Sequence, residues 1–85
     1  MNGNLFSIGE VSRILGITRK IILNYETCGL VVPDVKNGLN GNRYYTIDTI
    51  TRIRIIRLFQ GYGLSLPEIH EYLAGSTDLI SLVHR

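Results

Sequence analysis

The sequence predicts a mostly α-helical fold of four short helices, with a small two-stranded hairpin between the second and the third. Three observations carry this. Two amphipathic segments flank Gly16 with a connection so short that they must cross steeply. Asn37-Gly38 and Asn40-Gly41 mark a hairpin tip, because Asn and Gly tolerate positive φ. Isoleucines then recur every third residue at Ile50, Ile53 and Ile56, as they do along the buried side of a helix.

In chain order, Ser7 with Glu10 three positions later has the spacing of a capping box and starts a helix over about Ile8 to Leu15. Ile8, Val11, Ile14 and Leu15 would form its packing face, and Gly16 would stop it. Thr18 caps the second helix, with Ile17, Ile21, Ile22 and Tyr25 as its packing stripe and Arg19, Lys20 and Asn24 pointing elsewhere. Gly29 ends that helix. Leu30-Val31-Val32, stopped by Pro33, reads as one edge strand and Arg43-Tyr44-Tyr45 as the returning strand.

Thr46 caps the third helix, from about Ile47 to Gly61, where Ile55, Leu58 and Phe59 would broaden the isoleucine stripe. Ser65, Pro67 and Glu68 start a fourth, running to about Ala74. Residues 5–75 therefore form one domain. Thr77-Asp78, followed by Leu79, Ile80, Leu82 and Val83, would start a further helix, so that residues 76–85 are its first turns.

Composition narrows the function classes. Eighty-five residues with 45% apolar content support one compact core, since a chain this short buries only about 60% of its unfolded surface. The net charge of +2 is mildly basic and does not by itself announce a nucleic-acid partner. Cys28 is the only cysteine, which excludes an internal disulfide and fits a reducing, cytoplasmic setting. No stretch approaches the roughly 18 apolar residues of a membrane span. His70 and His84 stand alone, and no Ser/His/Asp set, paired-carboxylate cleft, metal constellation or phosphate-cradling loop is spelled out. An enzyme, a metal site and a cofactor are not expected.

Helix, turn, helix and hairpin in this order make a winged helix-turn-helix, and the first expectation for such an arrangement is DNA binding. The chain resembles the DNA-binding module of MerR-family transcriptional regulators. The likeness runs from Phe6-Ser7-Ile8-Gly9-Glu10-Val11 through Leu15-Gly16-Ile17-Thr18, Tyr25-Glu26 and Gly29-Leu30 to Gly41-Asn42-Arg43-Tyr44-Tyr45-Thr46 and Gly63-Leu64-Ser65-Leu66-Pro67-Glu68-Ile69. It implies a homodimer, joined by a long antiparallel helix that here would begin near Thr77, binding a palindromic double-stranded promoter element. It also implies bending or untwisting of the promoter so that RNA polymerase engages it. Three positions depart from the family pattern: Leu23 and Val35 stand where arginines are usual, and Asn24 where a tyrosine is usual. Each phosphate left without its arginine lowers the salt slope of binding by about one.

The candidate DNA-binding residues are Thr18, Arg19, Lys20, Asn24, Tyr25, Lys36, Arg43 and Tyr44. Arg19 and Lys20 occupy the first turn of the recognition helix, and Arg19 has the guanidinium that meets guanine in a bidentate manner. Thr18 caps that helix and could touch a phosphate as well, though capping alone would explain it, while the Asn24 amide suits adenine, phosphate or simple surface placement. Tyr25 gives its hydroxyl to phosphate, buries its ring against the wing with the hydroxyl satisfied locally, or does both. Lys36, with Asn37, Gly38 and Asn40, would form the wing tip, which either lies in the minor groove or along its phosphates or is a solvated loop. Arg43 either reaches the DNA backbone, as the resemblance implies, or makes an internal ion pair. Tyr44 and Tyr45 alternate across a strand, so one faces the core and the other solvent or DNA; order alone does not say which. Arg52, Arg54 and Arg57 read as surface solubility charges, with a backbone contact by one of them as the alternative. Two other functions fit the same pattern: an excisionase-like architectural DNA-bending factor, and a protein-interaction module that has lost DNA binding.

Overall fold

The computed structural model describes residues 4–38 and 41–75. Strand β1 (Phe6–Ser7) leads into α1 (Ile8–Leu15) and α2 (Arg19–Thr27); β2 (Val35–Asn37) and β3 (Asn42–Tyr45) form the wing, and α3 (Ile47–Gly61) and α4 (Leu66–Leu73) close the domain. The helix expected after Thr77 lies outside the described residues.

Hydroxyl side chains start the four helices. Ser7 Oγ accepts from Glu10 N at 3.2 Å while Glu10 Oε1 accepts from Ser7 N at 2.8 Å, a complete capping box, and Ser65 with Glu68 repeats it at 3.3 and 2.8 Å. Thr18 and Thr46 cap α2 and α3 by accepting from Ile21 N and Thr49 N.

The helix ends explain one departure from expectation. Leu30-Val31-Val32 is not a strand. Beyond α2, Gly29 takes φ +77°, Gly29 N donates to Glu26 O at 3.0 Å and Leu30 N to Tyr25 O at 2.9 Å. These are the paired bonds of a Schellman stop, which favours an apolar residue just past the glycine. Leu30 and Val31 are fully buried as that plug, so their apolar character comes from helix termination and not from a ladder. The outgoing wing strand is instead Val35–Asn37, all of it exposed. The same stop ends α3, where Gly63 N donates to Gln60 O and Leu64 N to Phe59 O.

The sheet has three strands where two were expected. Its order is β1-β3-β2, antiparallel throughout, with Phe6 opposite Tyr45 and Ser7 opposite Tyr44 on one side of β3, and Val35 opposite Tyr44, Lys36 opposite Arg43 and Asn37 opposite Asn42 on the other. A two-residue strand carries no readable period. Its pairing is what ties the start of α1 to the base of the wing.

Val11, Ile17, Ile22, Tyr25, Leu30, Val31, Tyr45, Ile50, Ile53, Ile56 and Ile69 form the core. Two helix faces are narrower than expected. In α1 the stripe centres on Val11 and Leu15, which leaves Ile14 on its shoulder and exposed. In α3, Ile50, Ile53 and Ile56 are buried, but Ile55 and Leu58 stand on the opposite side with Ile47 and Tyr62, all exposed. The third helix is thus apolar on two faces, and only one of them faces this core.

The two faces of α3 should respond differently to truncation. Ile53→Ala is expected to cost ~2–5 kcal/mol in urea unfolding, while Leu58→Ala at low protein concentration stays within about 0.5 kcal/mol.

Candidate nucleic-acid interface

The second helix buries one face and offers the other. Ile22 and Tyr25 point into the core, at 0% and 2% exposure, and the 3.6-residue period then places Arg19, Lys20, Leu23, Asn24 and Thr27 outward. Thr18 is consumed as the cap, its hydroxyl accepting from Ile21 N at 3.2 Å. Tyr25 takes the buried alternative for its ring, and its hydroxyl donates to Gln60 Oε1, which links α2 to α3.

Two open grooves flank this outward face. The first, about 410 Å³, lies between α2 and the wing and is lined by Ser7, Ile8 and Gly9 on one side, Arg19 and Leu23 on another, and Gly41, Asn42, Arg43 and Tyr44 from the wing. Arg19 crosses against Gly9: a Cβ built on that glycine would fall 2.7 Å from the Arg19 guanidinium. Gly9 therefore gives the arginine its place. In the sequence Gly9 stands out only as part of the family likeness, and nothing local in the chain signals this contact.

The second groove, about 250 Å³, lies between α2 and α3 and brings Lys20, Asn24 and Tyr25 together with Arg57 and Gln60. Arg57, read from the sequence as a solubility charge or as one that reaches the backbone, lines the same groove as Lys20. Arg52 has a different role, since its Nε donates to Leu30 O at 2.6 Å and helps to hold the buried loop.

Glu26 joins the wing to α2. Its Oε1 accepts from Arg43 Nε at 2.6 Å, and its Oε2 stands 4.0 Å from Lys36 Nζ. Arg43 Nη1 also donates to Gly41 O at 2.9 Å. The hydrogen bond to Glu26 raises the Arg43 pKa above its ordinary value. Arg43 thus makes the internal ion pair, while also lining the first groove. Tyr44 and Tyr45 are now distinguished: Tyr45 is fully buried and Tyr44 borders the groove. Burial raises the Tyr45 pKa, and its hydroxyl has no hydrogen-bond partner among the described residues.

At the base of the wing, Asp34 Oδ2 accepts from Thr46 N at 2.8 Å, Thr49 Oγ1 at 2.7 Å and Thr46 Oγ1 at 3.2 Å. One carboxylate oxygen thereby ties the start of β2 to the first turn of α3. No group of three metal-ligating side chains occurs among the described residues, and no helix there is long and apolar enough to cross a membrane.

Comparison with known proteins agrees with this geometry. Residues 6–76 match the family model described as "MerR HTH family regulatory protein". The nodulation protein NolA of Bradyrhizobium elkanii is 32% identical over 78 residues, 92% of this chain and 35% of that protein. The multidrug-efflux transporter 2 regulator of Bacillus subtilis is 32% identical over 72 residues, 85% of this chain and 26% of that one. The chain thus spans about a third or less of these relatives. A MerR-family transcriptional regulator from Bacillus cereus superposes with a TM-score of 0.80 at 23% identity, covering 96% of this chain and 60% of its own. HiNmlR, a MerR-family regulator lacking the sensor domain and bound to promoter DNA, superposes with a TM-score of 0.74 at 20% identity, covering 86% of this chain and 55% of its own. Both structures show the same winged fold.

The Asp34 anchor makes the wing base sensitive to acid. Burial raises its pKa, but the hydrogen bonds from Thr46 and Thr49 outweigh that and leave it below the ordinary value of 3.8. A carboxylate depressed in the folded state contributes stability above its unfolded pKa and loses it as pH falls through the folded one. Asp34→Ala is therefore expected to lower the melting temperature at neutral pH, and the gap to the parent should close as pH drops below about 4. An equal gap at pH 7 and pH 2.5 would contradict this role.

Proposed function

The chain belongs to the MerR family of helix-turn-helix regulatory proteins, and we propose that it binds double-stranded promoter DNA in a sequence-specific manner as a transcriptional regulator. One observation carries the reading: α2 buries Ile22 and Tyr25 and presents Arg19, Lys20 and Asn24 on its free face, between two grooves lined by further cations. A recognition helix of these dimensions enters the major groove N-terminal end first. Arg19 is then placed for guanine or phosphate, Asn24 for adenine or phosphate, and Lys20 with Arg57 forms a cationic pair for one backbone strand.

The wing supplies the flanking contacts. Lys36, Arg43 and Tyr44 lie along the backbone or at the minor groove, with Arg43 leaving or sharing Glu26 as phosphate approaches. A partly exposed ion pair adds little to stability, so redirecting this guanidinium to a phosphate costs little. Glu26 thus holds the arginine ready, and the Thr18 hydroxyl remains a helix cap that stands near phosphate.

The same reading includes assembly. Ile47, Ile55, Leu58 and Tyr62 form an exposed apolar stripe on α3, opposite the core face, and a second copy covering it accounts for its composition. A two-fold dimer presents two α2 helices to a palindrome, and a bound dimer bends or untwists the promoter for RNA polymerase in the cytoplasm. The role is binding and not catalysis.

The test is salt-dependent binding to promoter fragments. The parent should select one palindromic fragment, and Arg19→Ala with Arg43→Ala should weaken it and lower the salt slope by about two, one for the Arg43 phosphate contact of each protomer. Equal, feeble binding to all fragments by both proteins would instead favour a protein-interaction module. A second expectation concerns Gly9. Because the atom in its way is the tip of a flexible side chain, Gly9→Ala should leave stability within about 0.5 kcal/mol but displace Arg19 and weaken the selected fragment several-fold.

A further inference from the structure

We propose that Leu23 reads sequence by meeting the 5-methyl group of thymine, an inference that rests on the DNA-binding reading above. Leu23 stands on the outward face of α2, one turn after Arg19 and beside Asn24, and is 36% exposed. It lines the same groove as Arg19, Asn42, Arg43 and Tyr44. The inward side of α2 is already furnished by Ile22 and Tyr25, so Leu23 is not what seats the helix in the core.

A single exposed leucine is ordinary on a protein surface. This one is set among polar and basic groups on the face that approaches the duplex. When DNA covers it, its side chain loses water and has no hydrogen bond to give. A base edge bearing only donors or acceptors opposite Leu23 would be stripped of water without replacement, at a cost. Among the four bases, thymine offers an apolar group in the major groove, its 5-methyl. Arg19 and Asn24 read hydrogen-bonding edges on either side, and Leu23 adds a contact that selects by shape and apolarity between them.

Deoxyuridine isolates that methyl, since it keeps every hydrogen-bonding edge of thymine and lacks only the methyl group. The full chain is used to select its preferred duplex from a randomised pool, and each thymine is then replaced singly. At one thymine in each half-site, deoxyuridine should weaken the parent about fourfold, the worth of one buried methyl-sized group. Leu23→Ala should bind the thymine duplex with a similar loss and show no further loss with deoxyuridine at that position, whereas Leu23→Met should keep most of the thymine preference. Specific binding in which every deoxyuridine effect is the same for the parent and Leu23→Ala overturns the Leu23 assignment alone. Failure to select any duplex overturns the DNA-binding reading, and the assignment with it.

Discussion

Burial of the isoleucine seam of α3 is the constraint on which the rest depends. Ile50, Ile53 and Ile56 are at most 1% exposed, and a side chain of this kind contributes ~1.5–3 kcal/mol on full burial. Three of them outweigh any one surface contact in the molecule. Around the seam gather the inward residues of α1 and α2, the Leu30-Val31 plug, Tyr45 of the wing and Ile69 of α4. Each element is therefore oriented by the face it gives to the core. For α2 that leaves Arg19, Lys20, Leu23 and Asn24 outward as a geometric consequence of burying Ile22 and Tyr25.

The polar interactions act on a finer scale and chiefly set position. Tyr25 to Gln60 registers α2 against α3, Asp34 to Thr46 and Thr49 ties β2 to α3, and Glu26 to Arg43 ties α2 to β3. The last of these is partly exposed and adds little stability, yet it decides where a cation stands. Binding surfaces built this way separate the two tasks. Apolar burial holds the scaffold, and weak, partly exposed pairs orient individual side chains.

The exposed stripe on α3 belongs to the same logic. A helix that is apolar on two opposite faces has little amphipathic asymmetry, and periodicity alone cannot tell which face is inward. That is why spacing places Ile55 and Leu58 with the core isoleucines. In the fold they lie on the far side of the helix, together with Ile47 and Tyr62.

What the sequence determined by itself was local: the hydroxyl caps at Ser7, Thr18, Thr46 and Ser65, the glycine stops and the extents of the four helices, because each is set by residues within a few positions of one another. Arg19 and Lys20 on the free face of α2 followed from the same short-range periodicity. Only the tertiary structure decided that Phe6–Ser7 joins the sheet, that Leu30 and Val31 plug the core, that Arg57 lines one groove with Lys20, that Gly9 makes room for Arg19 and that Tyr44 lines the groove while Tyr45 is buried. Each of these depends on contacts between residues far apart in the chain, whose partners no local pattern encodes.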